Sequence, residues 1–492
     1  MNLKNVIGFA IALHFAAAGL LAATTEPTTE PTTESVTSTL NAISFFPAVS
    51  ADGVCADTPL RIVFASTPIM GKAGKIRIFD AANDIPIETI DVSSPTATQT
   101  IGGLDKYKYY PVIINGNEAA IYPHNGALSY DKTYYVTIDP GTFKDADGIY
   151  GGITNSADWR FTTKKSAPTA GTTKLTIAAD GTGDFCTIQG AVDFVPDGNK
   201  VPTTLLIRKG LYTEMVSFSN KSALTFQGED RKQTVLAYAD NAKFNGAPGT
   251  YHRGVFLANR CDDLVLTNLT IRNTTPYRGS QAEAIILNGT PQARAIMTGV
   301  DLYSFQDTLQ INGQAYISNC YIEGDVDFMW GKGPCFFENC ECKAVHSKGY
   351  YTQIRNSDAN HGYVYYHCIF DSAPTVANVF LSRIEPKRFP NSEVVLIDCV
   401  LDQATSPIAW LLNGEADAPD LHFWEFNSHD ASGAAIDTSE RLGISRQLKH
   451  PDDDVTIANY SNPAFVLGDE WNPRSAPIFA SWAASTMPAT AP

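Results

Sequence analysis

A short motif that recurs along the second half of the chain constrains the fold more than any other feature. Its six copies begin at Asn268, Gly299, Asn319, Asn339, His367 and Asp398. Several copies follow a β-like run, and the second residues of the copies lie 31, 20, 20, 28 and 31 positions apart. A strand that returns every 20 to 31 residues, with inserts of variable length, is typical of a coiled β-solenoid.

The register of such a solenoid places two aspartates side by side. Asp307 lies seven residues after Val300, and Asp327 lies seven residues after Cys320. Equivalent residues on neighbouring coils stack one strand spacing apart, about 4.8 Å. Two carboxylates this close cannot both ionise without a large free-energy cost, so we expect one to be protonated and the other charged. The pair therefore offers an acid together with a base or a nucleophile at one surface.

The charge balance excludes some classes of partner. The 492-residue chain has 36 basic and 52 acidic residues, a net charge of −16, and no basic cluster. This composition argues against binding to nucleic acid or to an anionic membrane surface. An acidic surface also repels an acidic polymer, so such a polymer must be held by local cations or be partly neutralised.

Changes in composition along the chain predict five segments. The beginning has a single lysine, Lys4, then an apolar run from Val6 to Ala23, which is typical of a secretory signal; a retained membrane anchor is the alternative. We therefore expect a secreted or periplasmic protein that has no membrane association after cleavage. The predicted segments are a signal peptide at 1–23, a Thr/Pro/Glu-rich spacer at 24–41, an Ig-like β-sandwich at 42–163, a linker at 164–173 and a β-helix domain at 174–485.

The segment 42–163 consists of short alternating strands punctuated by turn residues. It resembles the bacterial Ig-like modules that precede catalytic domains, especially in its closing residues 159–163, Trp-Arg-Phe-Thr-Thr. A spacer and a weak carbohydrate-binding module are the two interpretations of its role.

Nine cysteines leave at least one unpaired in an exported protein. Four of them share one position of the repeat: Cys320, Cys340, Cys368 and Cys399. We expect these side chains to form a buried ladder, although a disulfide between neighbouring coils is geometrically possible. A zinc site is not expected, because Cys340 and Cys342 have no second pair or histidine to complete it.

The motifs of the solenoid segment together resemble those of the pectin methylesterases, over about residues 175–473. Among them are Gly-x-Tyr-x-Glu, Gln-Ala-x-Ala, Gln-Asp-Thr-Leu and Asp-Phe-x-Phe-Gly, the last with Trp330 in place of the second phenylalanine, and their order matches that of the family. The matching segments are 180–185, 210–214, 281–284, 305–309, 327–331, 381–383, 423–427 and 471–473. The resemblance implies an all-β fold, a right-handed parallel β-helix of the pectin-lyase-like kind, preceded by the Ig-like β-sandwich.

The resemblance also implies roles for the stacked pair. Asp327 would be the nucleophile on a galacturonate methyl ester, and Asp307 the general acid and then the base. Arg383 would hold Asp327 ionised, and Gln281 and Gln306 would stabilise the oxyanion. No metal or other cofactor is implied. The expected partner is pectin, that is methyl-esterified homogalacturonan, and we expect a monomer.

Three aromatic residues are candidates for contact with the sugar chain: Phe305, Trp330 and Trp410. One departure from the family pattern bears on this surface. After Arg383 the family has Pro-Trp, whereas this chain has Ile384 and Glu385, which removes an aromatic residue and adds a negative charge.

The sequence also allows other interpretations of Asp307 and Asp327. Both aspartates could simply occupy turns, which aspartate favours. Carboxylates about 5 Å apart also suit a retaining glycosidase, and a pectate lyase would need a calcium-binding acid cluster, of which the sequence gives no sign. A non-catalytic solenoid that binds polysaccharide is an alternative of a different class, and a thioesterase is a further alternative.

Overall fold

The computed structural model describes residues 38–246, 252–414 and 418–479. The predicted signal peptide, residues 24–37 of the predicted spacer and residues 480–485 of the predicted β-helix domain lie outside the described residues. Two domains follow one another along the chain, a β-sandwich and a parallel β-helix, so the predicted fold class is confirmed.

The first domain packs two main sheets around a tryptophan. Trp159 is fully buried, packs against Phe45 with 4.8 Å between ring centroids, and donates its indole N–H to the Pro47 carbonyl at 2.8 Å. The sheets run in the orders β10-β11-β4-β2 and β3-β15-β12-β6-β7, and smaller sheets run β1-β14-β13-β5 and β8-β9. The strands are β1 (Ser38–Leu40), β2 (Ala42–Phe46), β3 (Ala51–Val54), β4 (Leu60–Phe64), β5 (Ile69–Met70), β6 (Lys75–Asp80), β7 (Ile85–Asp91), β8 (Ala97–Ile101), β9 (Leu104–Tyr109), β10 (Val112–Asn115), β11 (Glu118–Ile121), β12 (Thr133–Ile138), β13 (Phe143–Lys144), β14 (Gly148–Tyr150) and β15 (Arg160–Thr163).

The sandwich begins earlier than the sequence predicts. Strand β1 lies within the predicted spacer 24–41, yet it pairs in parallel with β14. Leu40 is 3% exposed and belongs to the core of the sandwich. One apolar residue in a Ser/Thr-rich segment is a weak pattern in the sequence, and only its partner strand makes it part of the fold.

The second domain is built of short strands that wind in coils. A helix, α1 (Ile188–Phe194), covers its first coil, and two helices, α2 (Asp454–Tyr460) and α3 (Pro463–Leu467), with a 3₁₀ turn at Pro473–Ser475, follow the last coil. The strands are β16 (Lys174–Ile177), β17 (Thr203–Ile207), β18 (Gly210–Tyr212), β19 (Val216–Ser219), β20 (Leu224–Gly228), β21 (Thr234–Tyr238), β22 (Phe256–Asn259), β23 (Leu264–Thr267), β24 (Thr270–Asn273), β25 (Ile285–Asn288), β26 (Arg294–Thr298), β27 (Asp301–Tyr303), β28 (Leu309–Ile311), β29 (Gln314–Ser318), β30 (Tyr321–Gly324), β31 (Val326–Gly331), β32 (Cys335–Glu338), β33 (Glu341–Ala344), β34 (Tyr350–Ile354), β35 (Tyr363–Tyr366), β36 (Ile369–Ser372), β37 (Phe380–Ile384), β38 (Glu393–Ile397), β39 (Val400–Leu401), β40 (Trp410–Leu412), β41 (His422–Phe426) and β42 (Arg446–Gln447).

Three parallel sheets run along the helix, and each complete coil gives one strand to each sheet, while β16, β41 and β42 extend the first sheet at its two ends. The first runs β16-β17-β20-β23-β26-β29-β32-β35-β38-β41-β42, and the second runs β18-β21-β24-β27-β30-β33-β36-β39. The third runs β19-β22-β25-β28-β31-β34-β37-β40. The predicted stacking of coils is therefore present in all three sheets.

The repeated motif of the sequence is the turn between the first and second sheets. Its first residue adopts a left-handed backbone conformation, with φ of 58° at Asn268, 53° at Asn319 and 53° at Asn339. Asparagine, aspartate and glycine tolerate this region better than other residues, which explains their recurrence. The next residue points into the core, and all four cysteines of the ladder are buried there.

The coils extend further than the sequence suggests. The last copy of the repeated motif in the sequence ends at Leu401. Beyond it, Trp410 lies in β40, the last strand of the third sheet, and Trp424 lies in β41, which adds a further strand to the first sheet. The fold-back begins after β42, where α2 and α3 pack on the outer face of the first sheet, for example with Ile457 and Val466.

The Ig-like domain docks on the capped end of the β-helix. Asp57 accepts hydrogen bonds from the backbone N–H groups of Cys186 and Thr187, at 3.0 and 2.8 Å, and so helps to cap α1. Glu214 accepts from the next two N–H groups of this helix, at 2.8 and 3.0 Å. Within the described ranges, none of the helices combines the length and the apolar character that a bilayer span requires.

We predict that core and surface positions of the second sheet respond very differently to one substitution. Ile271 in β24 is fully buried, whereas Ile369 in β36 is 44% exposed. Ile271→Ala should lower the free energy of unfolding by about 2–5 kcal/mol because it leaves a cavity. Ile369→Ala should change it by less than about 0.5 kcal/mol. Denaturant unfolding of both variants checks this, and equal losses would contradict the assignment of the inner face.

Candidate active site

The two aspartates occupy equivalent positions on consecutive coils, at the start of strands in the third sheet. Gln306 and Val326 form a parallel bridge, and the Asp307 N–H donates to the Val326 carbonyl at 3.1 Å. Both aspartates have left-handed backbones, with φ of 67° at Asp307 and 48° at Asp327. The predicted register is thus the observed one, and both side chains are largely buried, at 11% and 8% exposed.

Asp327 is held by an arginine from two coils further on. Arg383 in β37 donates from Nε to Oδ1 at 2.7 Å and from Nη2 to Oδ2 at 2.5 Å, a bidentate pair. The guanidinium also lies over the ring of Tyr350, at 4.2 Å from the centroid. Burial raises the pKa of Asp327, and the charges of Arg383 and Arg355 oppose that rise. The arrangement favours a carboxylate that is ionised and fixed in orientation.

Asp307 experiences a different environment. Burial raises the pKa of Asp307 well above its usual range, and the negative charges of Glu283 and Asp327 raise it further. Arg253 opposes this shift, with Nη2 at 3.1 Å from Oδ2 of Asp307, and Arg355 opposes it more weakly. The pKa of Asp307 is therefore raised further above its usual range than the pKa of Asp327, which suits Asp307 to the part of an acid.

Glu283 takes most of the hydrogen bonds that Arg253 could offer to Asp307. Arg253 donates from Nη2 to Oε1 of Glu283 at 2.7 Å and from Nε to Oε2 at 2.9 Å. The Glu283 side chain is completely buried. Because one carboxylate binds the guanidinium in a bidentate manner, the arginine stabilises an ionised Asp307 less than an unpaired cation would.

The two predicted oxyanion donors lie next to the pair. The Ala282 N–H donates to the Gln306 carbonyl at 3.1 Å, which joins the turns that carry Gln281 and Gln306. Gln281 accepts a hydrogen bond from the Ser280 hydroxyl at 3.1 Å through Oε1. Within the part of the chain that the structure covers, neither amide NH₂ group has a protein acceptor, so both can donate to a ligand.

The predicted aromatic residues differ in accessibility. Phe305 is half-buried and lies 5.6 Å from Tyr277 and 5.5 Å from His346, between ring centroids. Trp330 is only 7% exposed, and the guanidinium groups of Arg355 and Arg253 lie 4.7 and 5.7 Å from its ring. Phe305 is therefore a partly exposed member of an aromatic cluster, whereas Trp330 is buried and packs against two arginine side chains.

Trp410 does not lie where we expected it. It is fully buried and stacks on Phe423 at 4.7 Å, rather than lining a groove. The reason is the alternation of side chains along a strand. Trp410 pairs with Ser382, which faces the core, while Arg383 on the outer face pairs with Leu411. The expectation that Trp410 contacts the substrate is wrong for this conformation.

Sequence reasoning missed three charged residues of the site: Arg253, Glu283 and Arg355. Glu283 occupies the variable position of the Gln-Ala-x-Ala motif, and the motif itself assigns no role to the residue at that position. Arg253 comes from a coil with a long insert, and Arg355 follows β34 directly. Only the strand register brings these residues together.

The departure after Arg383 has a structural consequence. Ile384 is a buried core residue at the end of β37, and Glu385 pairs with Arg388 at 2.9 Å. Phe389 lies nearby, with its ring 5.5 Å from the Arg355 guanidinium. An arginine and a phenylalanine thus line this side of the site, where the family pattern has a tryptophan.

Comparison with known proteins gives a consistent result for both domains. The Pectinesterase family model matches residues 174–469, and the Bacterial Ig-like domain model matches residues 36–163. Pectinesterase 31 of Arabidopsis thaliana is 29% identical over 293 residues, which cover 57% of this chain and 89% of that protein.

Two solved structures share the fold. Pectin methylesterase from carrot superposes with a TM-score of 0.54 at 22% identity, over 66% of this chain and 98% of the carrot chain. Pectin methylesterase PemA from Erwinia chrysanthemi gives a TM-score of 0.50 at 25% identity, over 62% and 99% of the two chains. Because the family model covers more than half of the sequence, the chain belongs to the pectinesterase family, with a bacterial Ig-like domain at its N-terminal side.

Proposed function

We propose that this protein hydrolyses the methyl esters of galacturonate in pectin and releases methanol and pectate. The observation that carries the proposal is the pair itself: Asp327 clamped by Arg383, one coil away from an Asp307 whose pKa is raised well above its usual range. A fixed carboxylate and a buried acid at one surface are what a two-step ester hydrolysis requires.

In the first step, a carboxylate oxygen of Asp327 attacks the ester carbonyl carbon. The tetrahedral intermediate carries an oxyanion, to which the amide groups of Gln281 and Gln306 donate hydrogen bonds. Collapse of the intermediate breaks the bond to the methoxy group, and Asp307 gives its proton to the departing methanol. The product is an anhydride between Asp327 and the galacturonate.

In the second step, water replaces the methanol. Asp307, now a carboxylate, takes a proton from the water as its oxygen attacks the acyl carbon. The anhydride breaks, Asp327 leaves as a carboxylate, and Arg383 stabilises the charge that returns to it. Asp307 ends protonated, and the free galacturonate is released. In this scheme the protein's own side chains supply every group, so no metal is needed.

Local cations explain how a chain of net charge −16 could hold an acidic polymer. Arg253, Arg355 and Arg383 lie around the pair, and the Arg355 side chain has only an amide oxygen, from Gln353, as a hydrogen-bond acceptor within the described ranges. Arg355 is thus the guanidinium best placed to meet a carboxylate of the substrate. The aromatic cluster of Tyr277, Phe305 and His346 offers a surface for sugar rings on the other side.

Two other catalytic readings fit the site less well. A retaining glycosidase also uses two close carboxylates, but it has no need of the paired amide donors at Gln281 and Gln306. A calcium-dependent lyase needs a cluster of acidic ligands, and each carboxylate at this site already has an arginine within reach. A non-catalytic polysaccharide-binding solenoid would not require the clamp between Arg383 and Asp327.

Export and assembly belong to the same proposal. We propose that residues 1–23 direct the chain to the periplasm or the exterior, where pectin is accessible, and that the protein acts as a monomer. The Ig-like domain serves as a spacer or as a weak carbohydrate-binding module.

We predict that Asp327→Asn abolishes methanol release from highly methylated pectin. The amide has nearly the shape of the carboxylate but is not a nucleophile, so kcat should fall on the order of 10⁴-fold. A chelator should leave the wild-type rate unchanged. Methanol release measured with and without the chelator checks both expectations.

Asp371→Asn is the matched control, because Asp371 pairs with Lys343 on the second sheet, away from the site. This variant should keep the wild-type rate within about twofold. A fall in pectin viscosity with new reducing ends, but no methanol, would instead assign the pair to cleavage of the chain. Retained polymer binding without any reaction would support the non-catalytic alternative.

We predict that Glu283→Gln shifts the alkaline limb of the pH–rate profile to lower pH. The groups that face Asp307 are Glu283, Arg253, Asp327 and Arg355. Removing the Glu283 charge frees Arg253 to stabilise an ionised Asp307, so the pKa of Asp307 falls and the acid loses its proton at lower pH. The pH dependence of kcat/KM for methanol release measures this shift.

Glu341→Gln serves as the control for that experiment, because Glu341 lies in β33 of the second sheet and does not contact the pair. Its pH profile should match the wild type. An unmoved alkaline limb in Glu283→Gln would show that Asp307 is not the group that titrates there.

A further inference from the structure

Two cysteines from different domains meet where the Ig-like domain docks on the β-helix. Cys55 follows β3, and Cys186 precedes α1. Their sulfur atoms and a carboxylate oxygen of Asp57 all lie within 4.8 Å of one another. Cys55 is 0% and Cys186 is 2% exposed, so the pair is buried in the interface between the domains, and an oxidant reaches it while that interface is open. The proposed esterase reaction does not use any of these groups.

We propose that Cys55 and Cys186 form a disulfide that locks the Ig-like domain onto the capped end of the β-helix. The reaction is an exchange with a protein or small-molecule disulfide of an oxidising compartment. The Cys55 thiolate attacks one sulfur of that disulfide, which breaks the S–S bond of the oxidant, releases its first thiol and leaves a mixed disulfide on Cys55. Cys186 then loses its proton and attacks the Cys55 sulfur, which forms the Cys55–Cys186 bond and releases the second thiol of the oxidant. The two cysteines lose two electrons and two protons, and the oxidant leaves as two thiols.

The surroundings of Cys55 favour this chemistry. Lys164 places its ammonium 3.2 Å from the Cys55 sulfur, and the same ammonium donates to backbone carbonyls of the first β-helix turn, at Gly183 and Asp184. A hydrogen bond from Cys186 lowers the pKa of the Cys55 thiol, and Lys164 lowers it further. Because the thiolate is the attacking species, Cys55 is the nucleophile of the pair.

The same three residues could be read as ligands of a metal ion, but their partners argue otherwise. The Asp57 carboxylate already accepts hydrogen bonds from the Cys186 N–H at 3.0 Å, the Thr187 N–H at 2.8 Å and the Thr187 hydroxyl at 2.7 Å. The Lys164 ammonium also places a positive charge beside the Cys55 sulfur, where a metal cation would have to bind. Two sulfurs and a positive charge suit a disulfide better than a metal centre.

The cysteine ladder inside the β-helix provides a contrast. Cys320, Cys340, Cys368 and Cys399 stack on successive coils, with neighbouring side chains parallel and about 4.8 Å apart. A disulfide needs Cβ atoms about 3.5–4.5 Å apart and a dihedral angle near 90°, which parallel side chains on paired strands do not provide. Of the nine cysteines, Cys55 and Cys186 are the pair that two separate domains bring together.

Mass spectrometry of the full-length protein, exported to an oxidising compartment and purified without reductant, tests the proposal. After denaturation, alkylation should label seven cysteines, and all nine after reduction. Trypsin should release the peptide 175–200, which contains Cys186, linked to the peptide that ends at Arg61 and contains Cys55. Nine labelled cysteines before reduction, a different linked pair, or one bound zinc ion per chain with no linked peptide would each overturn the proposal.

Thermal unfolding supplies an independent measurement. Reductant should lower the apparent melting temperature of the wild type by about 5 °C or more, since the cross-link closes a loop of 131 residues. Cys55→Ser should show no response to reductant. Cys261→Ser, which changes a buried cysteine elsewhere in the β-helix, should still respond like the wild type. A Cys55→Ser variant that responds as strongly as the wild type would contradict the assignment.

Methanol release separates this proposal from the proposed function. The disulfide lies outside the catalytic pair, so Cys55→Ser should keep esterase activity at a temperature where it is folded. If the linked peptide is found in a protein without esterase activity, the disulfide proposal stands and the proposed function is wrong. If the protein is active and all nine thiols are free, the proposed function stands and the disulfide proposal is wrong.

Discussion

The hydrogen-bond register between parallel strands is the constraint on which the rest of this structure depends. Each complete coil adds one strand to each of three sheets, so a residue's partners are fixed by its position in the coil. This register sets Asp327 above Asp307 and places Arg383 on the outer face. It also turns Trp410 inward, because Trp410 pairs with Ser382. The site thus consists of side chains that lie one above another on successive coils of the third sheet.

Electrostatics then gives two chemically identical residues, Asp307 and Asp327, different pKa shifts. Burial alone would raise the pKa of both aspartates, but each has a different arginine. Arg383 binds Asp327 through both oxygens, whereas Arg253 is shared with the buried Glu283 and offers Asp307 only one contact. The difference between the two aspartates therefore comes from how fully each guanidinium is already neutralised.

The Ig-like domain is more than a module attached by a linker. Asp57 caps the helix that covers the first coil, and Lys164 bonds to backbone carbonyls of the same turn. The open edge of a solenoid needs a cover, and here the cover is itself held by the neighbouring domain. The proposed link between Cys55 and Cys186 would make that arrangement covalent.

The sequence alone determined the solenoid, the stacking of Asp307 and Asp327 and the family, because these depend on spacing and on short local motifs. The left-handed turn at Asn319 and the seven-residue offsets to Asp307 and Asp327 are local in the chain. What only the tertiary structure decided are the contacts between distant segments: Arg253 and Glu283 beside Asp307, the burial of Trp410, and the docking of the Ig-like domain. Such contacts cannot be predicted from the sequence when long inserts separate the coils, because the contacts depend on strand pairing and not on separation along the chain.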